Sequence, residues 1–304
     1  MPSVWTTTKR LALATGKDVM EDDVPSMSAA IAYYTVFSLP PLLVVIVAVA
    51  GAVFGADQVQ NAIIEQMGSL VGPTAGESVR EMVLNASDLG TGIGAKVAGL
   101  AALLFGASGA FAQLQKALNR AWEVEPQGGG LASIVVKRLL SFGMVLTIAF
   151  FLLVSLVVSA ALAALDQAAA SLVGGGVAGW ILQVVNLAVG LAVVTGLFAV
   201  LFKTLPDAEV AWRDALVGAF ATAVLFTVGK TLIGLYLGTA NPGSAFGAAG
   251  SLALILVWIY YTALIVLVGA EFTQQWALRV GEGIEPDDAD AVHPLATPRD
   301  PAPY

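Results

Sequence analysis

Apolar residues run along this chain in long uninterrupted stretches, and short segments between them hold most of the charges. Read with a window of about 19 residues, the pattern predicts six spans, near 28–55, 94–115, 139–165, 177–202, 212–237 and 246–270. Two of them, "LLSFGMVLTIAFFLLVSLVVSAALAAL" and "VAGWILQVVNLAVGLAVVTGLFAVLF", carry no charge. Their length and continuity predict helices, because strands of a membrane barrel would alternate apolar and polar positions over about ten residues. The short "DQAAASLVGGG" and "GTANPGS" read as turns that join spans three to four and five to six into hairpins.

The first span is unusual in two ways. From Val24 to Ala56 there are 33 residues without a charge, roughly 50 Å of helix against a bilayer core of about 30 Å. Within it, "AIAYYTVFSLPPLLVVIVAVAG" places Pro40 and Pro41 side by side. The pair removes two backbone donors and disfavours helical geometry at Leu39, so the span is predicted to kink or break there. Two readings stand: a bend in a packed helix, or a discontinuous helix lining a substrate cavity. Tyr33, Tyr34, Thr35 and Ser38, just before the pair, are candidate donors to the freed carbonyls.

Between spans one and two, the insert 57–92 is too long for a simple connector. Val59, Ile63, Met67 and Leu70 recur at helical spacing, and Val79, Met82, Val83 and Ala86 repeat the pattern after Pro73. An amphipathic helical hairpin is expected, either packed at the interface or capping an outward cavity. The chain thus divides into an N-terminal segment, 1–27, with a weaker pattern for an interfacial helix, a six-helix membrane domain, 28–275, and an acidic, proline-rich tail, 276–304, expected to be disordered. The fold class is all-α and polytopic.

Composition agrees with that reading: mean hydropathy is +0.83, 58% of residues are hydrophobic and only 12% are charged, about half the soluble share. The net charge of −8 argues against a nucleic-acid partner, which needs a basic surface to release counterions. With no cysteine in the chain, disulfides and thiolate chemistry are excluded. The first residues lack the continuous apolar core and cleavage site of a signal peptide. If the N-terminus is cytoplasmic, inner segments hold eleven Lys or Arg and outer loops only Arg80, so both termini are expected on the cytoplasmic side.

Ionisable residues inside spans are the candidates for function, since each costs roughly 2.5–3.5 kcal/mol near the bilayer centre. Lys230, in "FTVGKTLIGLYLG", lies seven or eight residues from the outer end of span five, roughly 10–12 Å deep. Lys96 sits a few residues inside the outer end of span two, where snorkelling is easy. Facing one cavity, the two would form a cationic pocket for a lipid phosphate or a carboxylate; facing outward, they would only snorkel. Glu271 closes span six and is expected to pair with Lys203 or to meet water. Small residues around Gly106, Gly109, Gly243 and Gly247 predict close helix contacts.

"AYYTVFSLPPLL", "LFGASGAFAQLQKALNRAWEV", "LPDAEVAWRDALVGAFATAVLF" and "GSAFGAAGSLALILVWIYYTALIVLVGAEFTQ" follow one another over roughly residues 10–280. In these stretches the chain resembles the YihY/BrkB family of bacterial inner-membrane proteins, once labelled ribonuclease BN. The resemblance implies six transmembrane helices and an inner-membrane location, and it carries no catalytic residues. Family members have been linked to serum resistance, lipid or lipopolysaccharide export, and solute or ion transport.

The ribonuclease label finds no chemistry here. Phosphodiester cleavage needs a positioned acid and base or a metal cluster, and the sole histidine, His293, lies in the acidic tail. No HExxH motif, phosphate-binding glycine loop or serine, histidine and acid set is present. The expectation is therefore a non-enzymatic protein without metal or cofactor that transports a lipid-like or small anionic substrate, passively or with a coupled ion. Its site residues would come from Lys230, Lys96, Tyr33, Tyr34, Ser38 and Glu271, with Pro40 and Pro41 at the helix break. Membrane lipids are the expected partners, and a structural scaffold for envelope proteins is the alternative.

Overall fold

The computed structural model describes residues 4–71, 80–81, 109–124, 177–240 and 250–286. Its elements are α1 (Val4–Glu21), α2 (Val24–Phe54), α3 (Ala56–Val71), α4 (Val177–Thr204), β1 (Ala208–Val210), α5 (Trp212–Ala240), α6 (Gly250–Arg279) and β2 (Ile284–Pro286); residues 109–121 are also helical. Stretches long and apolar enough to cross a membrane lie in α4 (Leu187–Thr204), α5 (Trp212–Ile233) and α6 (Leu252–Arg279), with a shorter apolar stretch, Val24–Leu39, in α2. Span three, most of span two and all but Arg80 and Glu81 of the insert's second limb lie outside the described residues.

Of the two readings at Pro40-Pro41, the discontinuous helix is overturned, for α2 is helical from Val24 to Phe54 through both prolines. Proline's fixed φ is itself helical, so what the pair costs is ring clash and the two donors that would serve the carbonyls of Val36 and Phe37. Packing carries the helix across. Val36, Leu39, Leu43 and Val47, at helical spacing on both sides of the pair, join Ile255 and Trp258 in one apolar cluster. Ser38 does not serve the freed carbonyls: its hydroxyl donates to the Thr35 carbonyl at 2.9 Å.

The chain forms two compact units, one from residues 1–18, 118–225 and 268–304, the other from 19–117 and 226–267. In the second unit, α2 ends at Gly55 (φ 91°), whose N–H donates to the Gly51 carbonyl at 2.9 Å. A Cβ on Gly51 would stand 3.0 Å from the Cα of Ala56, so glycine permits the reversal into α3. The helix α3 then packs back on α2, with Ile63 against the cluster that holds Leu43 and Val47. Gln58, Asn61 and Glu65 stay exposed, which gives this limb of the insert a packed apolar face. Phe226 meets Trp258 edge-on at 6.4 Å in the same core.

The first unit is built around Trp122. It is 1% exposed, lies edge-on to Phe202 at 5.9 Å and donates from Nε1 to the Ala270 carbonyl at 3.1 Å. Its helix ends in a Schellman-type turn, Glu123 N–H to the Arg120 carbonyl and Val124 N–H to the Asn119 carbonyl, with Glu123 at φ 56° where glycine is usual. Asn119 also clips the 205–211 loop, donating to Asp207 Oδ2 and accepting from the Asp207 N–H, each at 2.9 Å.

Close helix packing appears in both units. A Cβ on Gly218 would collide with Thr273, one on Gly269 with Thr222, and one on Gly229 with the Tyr261 ring. Each threonine satisfies its hydroxyl within its own helix, Thr222 at the Gly218 carbonyl (2.8 Å) and Thr273 at the Gly269 carbonyl (2.6 Å). The same Oγ1 is also the atom nearest the facing glycine, with Cβ and Cγ2 behind it, so the whole threonine side chain fills the gap.

Two expectations about the chain's end are corrected. The fold is not wholly helical, because β1 and β2 pair antiparallel in the register Ala208 to Pro286, Glu209 to Glu285 and Val210 to Ile284. The tail does not begin at 276: α6 continues to Arg279, and 284–286 is strand. The physical reason is Asp214 in the first turn of α5. It is fully buried and accepts the Glu282 N–H at 2.9 Å, and a Cβ on Gly281 would overlap its carboxylate.

Candidate functional site

Lys230 lies near one end of the apolar stretch Trp212–Ile233 of α5. It follows Gly229, on which the Tyr261 ring rests. The side chain is half-buried, and among the described residues it makes no hydrogen bond or ion pair. An ammonium held among apolar side chains by a four-carbon stem is a point charge with three donors. Such a group can donate to a phosphate or carboxylate oxygen. Lys96, its expected companion, lies outside the described residues.

The aromatic pair of α2 belongs to the same unit. Tyr33 and Tyr34 meet edge-on at 5.5 Å, and Tyr33 also touches Phe37 at 4.9 Å. Tyr33 and Phe37 are 58% and 65% exposed, so this ridge is not covered by protein. Tyr34 turns toward Gly109, where an added Cβ would stand 2.9 Å from its ring; the small residue in "GASGAF" admits a ring here, where the sequence reading expected a close approach of helices. Ser38 is buried and its hydroxyl is committed to the helix backbone, which makes it a poor ligand.

Glu271 belongs to the first unit and is fully buried, so the prediction that it meets water is corrected. Lys203, for its part, donates from Nζ to the Val210 carbonyl at 2.8 Å and so braces β1. Three and four residues on from Glu271, Gln274 and Gln275 are buried too, and Gln275 donates to the buried carboxylate of Asp18 on α1. Thr15, Asp18, Asn119, Asp214, Thr222 and Thr273 complete a set of buried polar residues in this unit. Sequence reading passed over them because their partners are distant in the chain. The polar run "EFTQQ" at 271–275, straight after an apolar span, was the available signal.

Comparison with known proteins places this architecture. The chain is 28% identical over 284 residues to a UPF0761 membrane protein of Photobacterium profundum, covering 90% of this chain and 84% of that one. It is 28% identical over 258 residues to a UPF0761 membrane protein of a Psychrobacter species and 30% identical over 259 residues to one of Pseudomonas paraeruginosa. Those matches cover 84% and 82% of this chain but only 46% and 58% of the relatives, so the chain spans about half the length of these two proteins. No solved structure matches it. The family profile described as Virulence factor BrkB matches residues 15–293, a range that takes in α2 to β2 and every candidate residue named above, and the chain accordingly belongs to the BrkB family of membrane proteins.

Proposed function

We propose that this protein is an inner-membrane transporter or exporter of a lipid-like or small anionic substrate, working passively or with a coupled ion and without an enzymatic step. Both termini face the cytoplasm in this reading. The observation that carries it is Lys230. A cation in an apolar span costs roughly 2.5–3.5 kcal/mol on insertion scales, and an anionic ligand offsets that cost. The uncovered ridge of Tyr33 and Phe37 in the same unit offers an apolar surface on which acyl chains or a small solute can rest.

Native mass spectrometry of the protein released from lipid nanodiscs, unmodified and as Lys230→Met, tests the reading. The expected result is a discrete anionic adduct on the unmodified chain that is lost in Lys230→Met and kept in Lys230→Arg. Identical spectra for all three would overturn Lys230 as the site. A second reading, a non-catalytic scaffold for envelope organisation, is favoured by the tight packing of Gly218 on Thr273 and Gly269 on Thr222, which suits a rigid frame. In that case Lys230→Met raises the melting temperature and changes neither adducts nor flux.

A further inference from the structure

The helix α1 is turned inside out relative to an ordinary surface helix. Its inward face is Leu11, Thr15 and Asp18, all buried, and two of those three are polar. The opposite face holds Lys9, Arg10, Leu13, Gly16, Lys17 and Met20, all exposed. Leu13 and Met20, two turns apart and in line, are 65% and 73% exposed. On a helix bathed in water the polar and apolar faces would be exchanged. At 100° per residue, Lys9 and Lys17 flank the ridge formed by Leu13 and Met20 at about 40° on either side.

Two contacts fix this helix to the end of a span. Gln275 donates to the Asp18 carboxylate, and an Arg279 guanidinium nitrogen lies 3.4 Å from the Arg10 carbonyl. The apolar stretch of α6 runs from Leu252 to Arg279, so α1 is held against the last turn of that stretch, at the level where hydrocarbon gives way to headgroups. There, apolar side chains at the centre of a face enter the acyl boundary, while flanking lysines bury their stems and carry the ammonium to phosphate. The outward face holds three cations, with one exposed acid, Glu21, at its edge about 80° round from Leu13.

We propose that α1 is an interfacial helix whose outward face binds anionic lipid headgroups, with Leu13 and Met20 in the acyl boundary and Lys9, Arg10 and Lys17 on the phosphates. The lipid leaflet around α6 is the partner, and the site does not depend on Lys230 binding a substrate.

Spin labels test this directly, since the chain has no cysteine to remove. Leu13→Cys, Met20→Cys and, as a reference on β1, Glu209→Cys are labelled in the full chain. Each is reconstituted in discs of phosphatidylcholine alone and in discs that also carry phosphatidylglycerol. Labels at 13 and 20 should collide with oxygen and be shielded from a water-soluble nickel chelate, most strongly in the anionic discs, while the label at 209 stays open to nickel. Replacing Lys9 and Arg10 by Gln should cost about fivefold in affinity for the anionic lipid per cation removed, with the melting temperature unchanged because both side chains are exposed. Nickel access at 13 and 20 equal to that at 209 would overturn the proposal by placing the face in water. Dipolar broadening at 13 and 20 would overturn it in favour of a second copy of the chain on that face.

Discussion

At Gly218 the absence of one methyl group decides how two helices meet. A Cβ there would lie 2.7 Å from the Cβ of Thr273 and 2.8 Å from its Cγ2, and Thr273 is fully buried and has no free space to turn into. Gly218→Ala is therefore expected to destabilise by about 1–3 kcal/mol, the usual cost of overpacking. Thr273→Ala removes the Cγ2 and Oγ1 that crowd the site, so in the double variant the loss should be smaller than the sum of the two singles, with a coupling of about 0.5–3 kcal/mol. Gly190 and Gly196 of α4 have nothing within 4 Å. Replacing either with Ala should be neutral or stabilising by up to about 1 kcal/mol, since helix propensity alone is at stake. Melting in detergent measures all of these, and equal losses at Gly190 and Gly218 would show that contact with Thr273 is not what glycine serves. Nothing in local sequence marks this difference: both kinds of glycine sit in apolar helices, and the neighbour that separates them lies 55 residues away at Thr273.

At the scale of single elements, the hydrophobic pattern located helices well and their ends less well. Spans four and five, predicted at 177–202 and 212–237, are α4 (Val177–Thr204) and α5 (Trp212–Ala240). Span six was predicted to stop at 270, yet α6 continues to Arg279. Hydropathy ends a span where polar residues begin, whereas Gln274 and Gln275 extend the helix because α1 supplies a partner for them. The strands were invisible for a related reason: three residues each, they pair across more than 70 positions and depend on Asp214 to hold the Gly281 turn. At the prolines of α2, tertiary packing decides between the two readings, because a helix that runs on through the pair rules out the discontinuous one. Because α2 is helical on both sides of the pair, Pro40→Ala with Pro41→Ala returns donors to the Val36 and Phe37 carbonyls and should stabilise the helix, by at most about 3 kcal/mol per proline. A lower melting temperature for the double variant would mean that the rings themselves pack better than the hydrogen bonds they displace. If function needs a weak point in α2, the same variant gains stability while substrate flux falls.

For the whole molecule, class and family were legible because they rest on composition and long runs, and the site was less so because it rests on partners. Lys230 and Glu271 stand out in the sequence as charges within apolar runs, but only coordinates show that Lys203 donates to the Val210 carbonyl and that Glu271 is buried. The sidedness proposed above rests on eleven Lys and Arg in the segments expected inside against one in those expected outside, and it can be tested with impermeant thiol reagents on a chain that has no cysteine. Glu209 of β1 is exposed and belongs to a segment expected on the cytoplasmic side; Gln58, exposed at the start of α3, belongs to the insert expected outside. In cells whose outer barrier has been opened, an impermeant maleimide should label Gln58→Cys at once, and Glu209→Cys only after the inner membrane is breached. The reverse pattern would invert the molecule. It would also move Lys230 from the outer half of the bilayer, where the proposed sidedness puts it, to the inner half, and with it the side from which the proposed anionic substrate would be received.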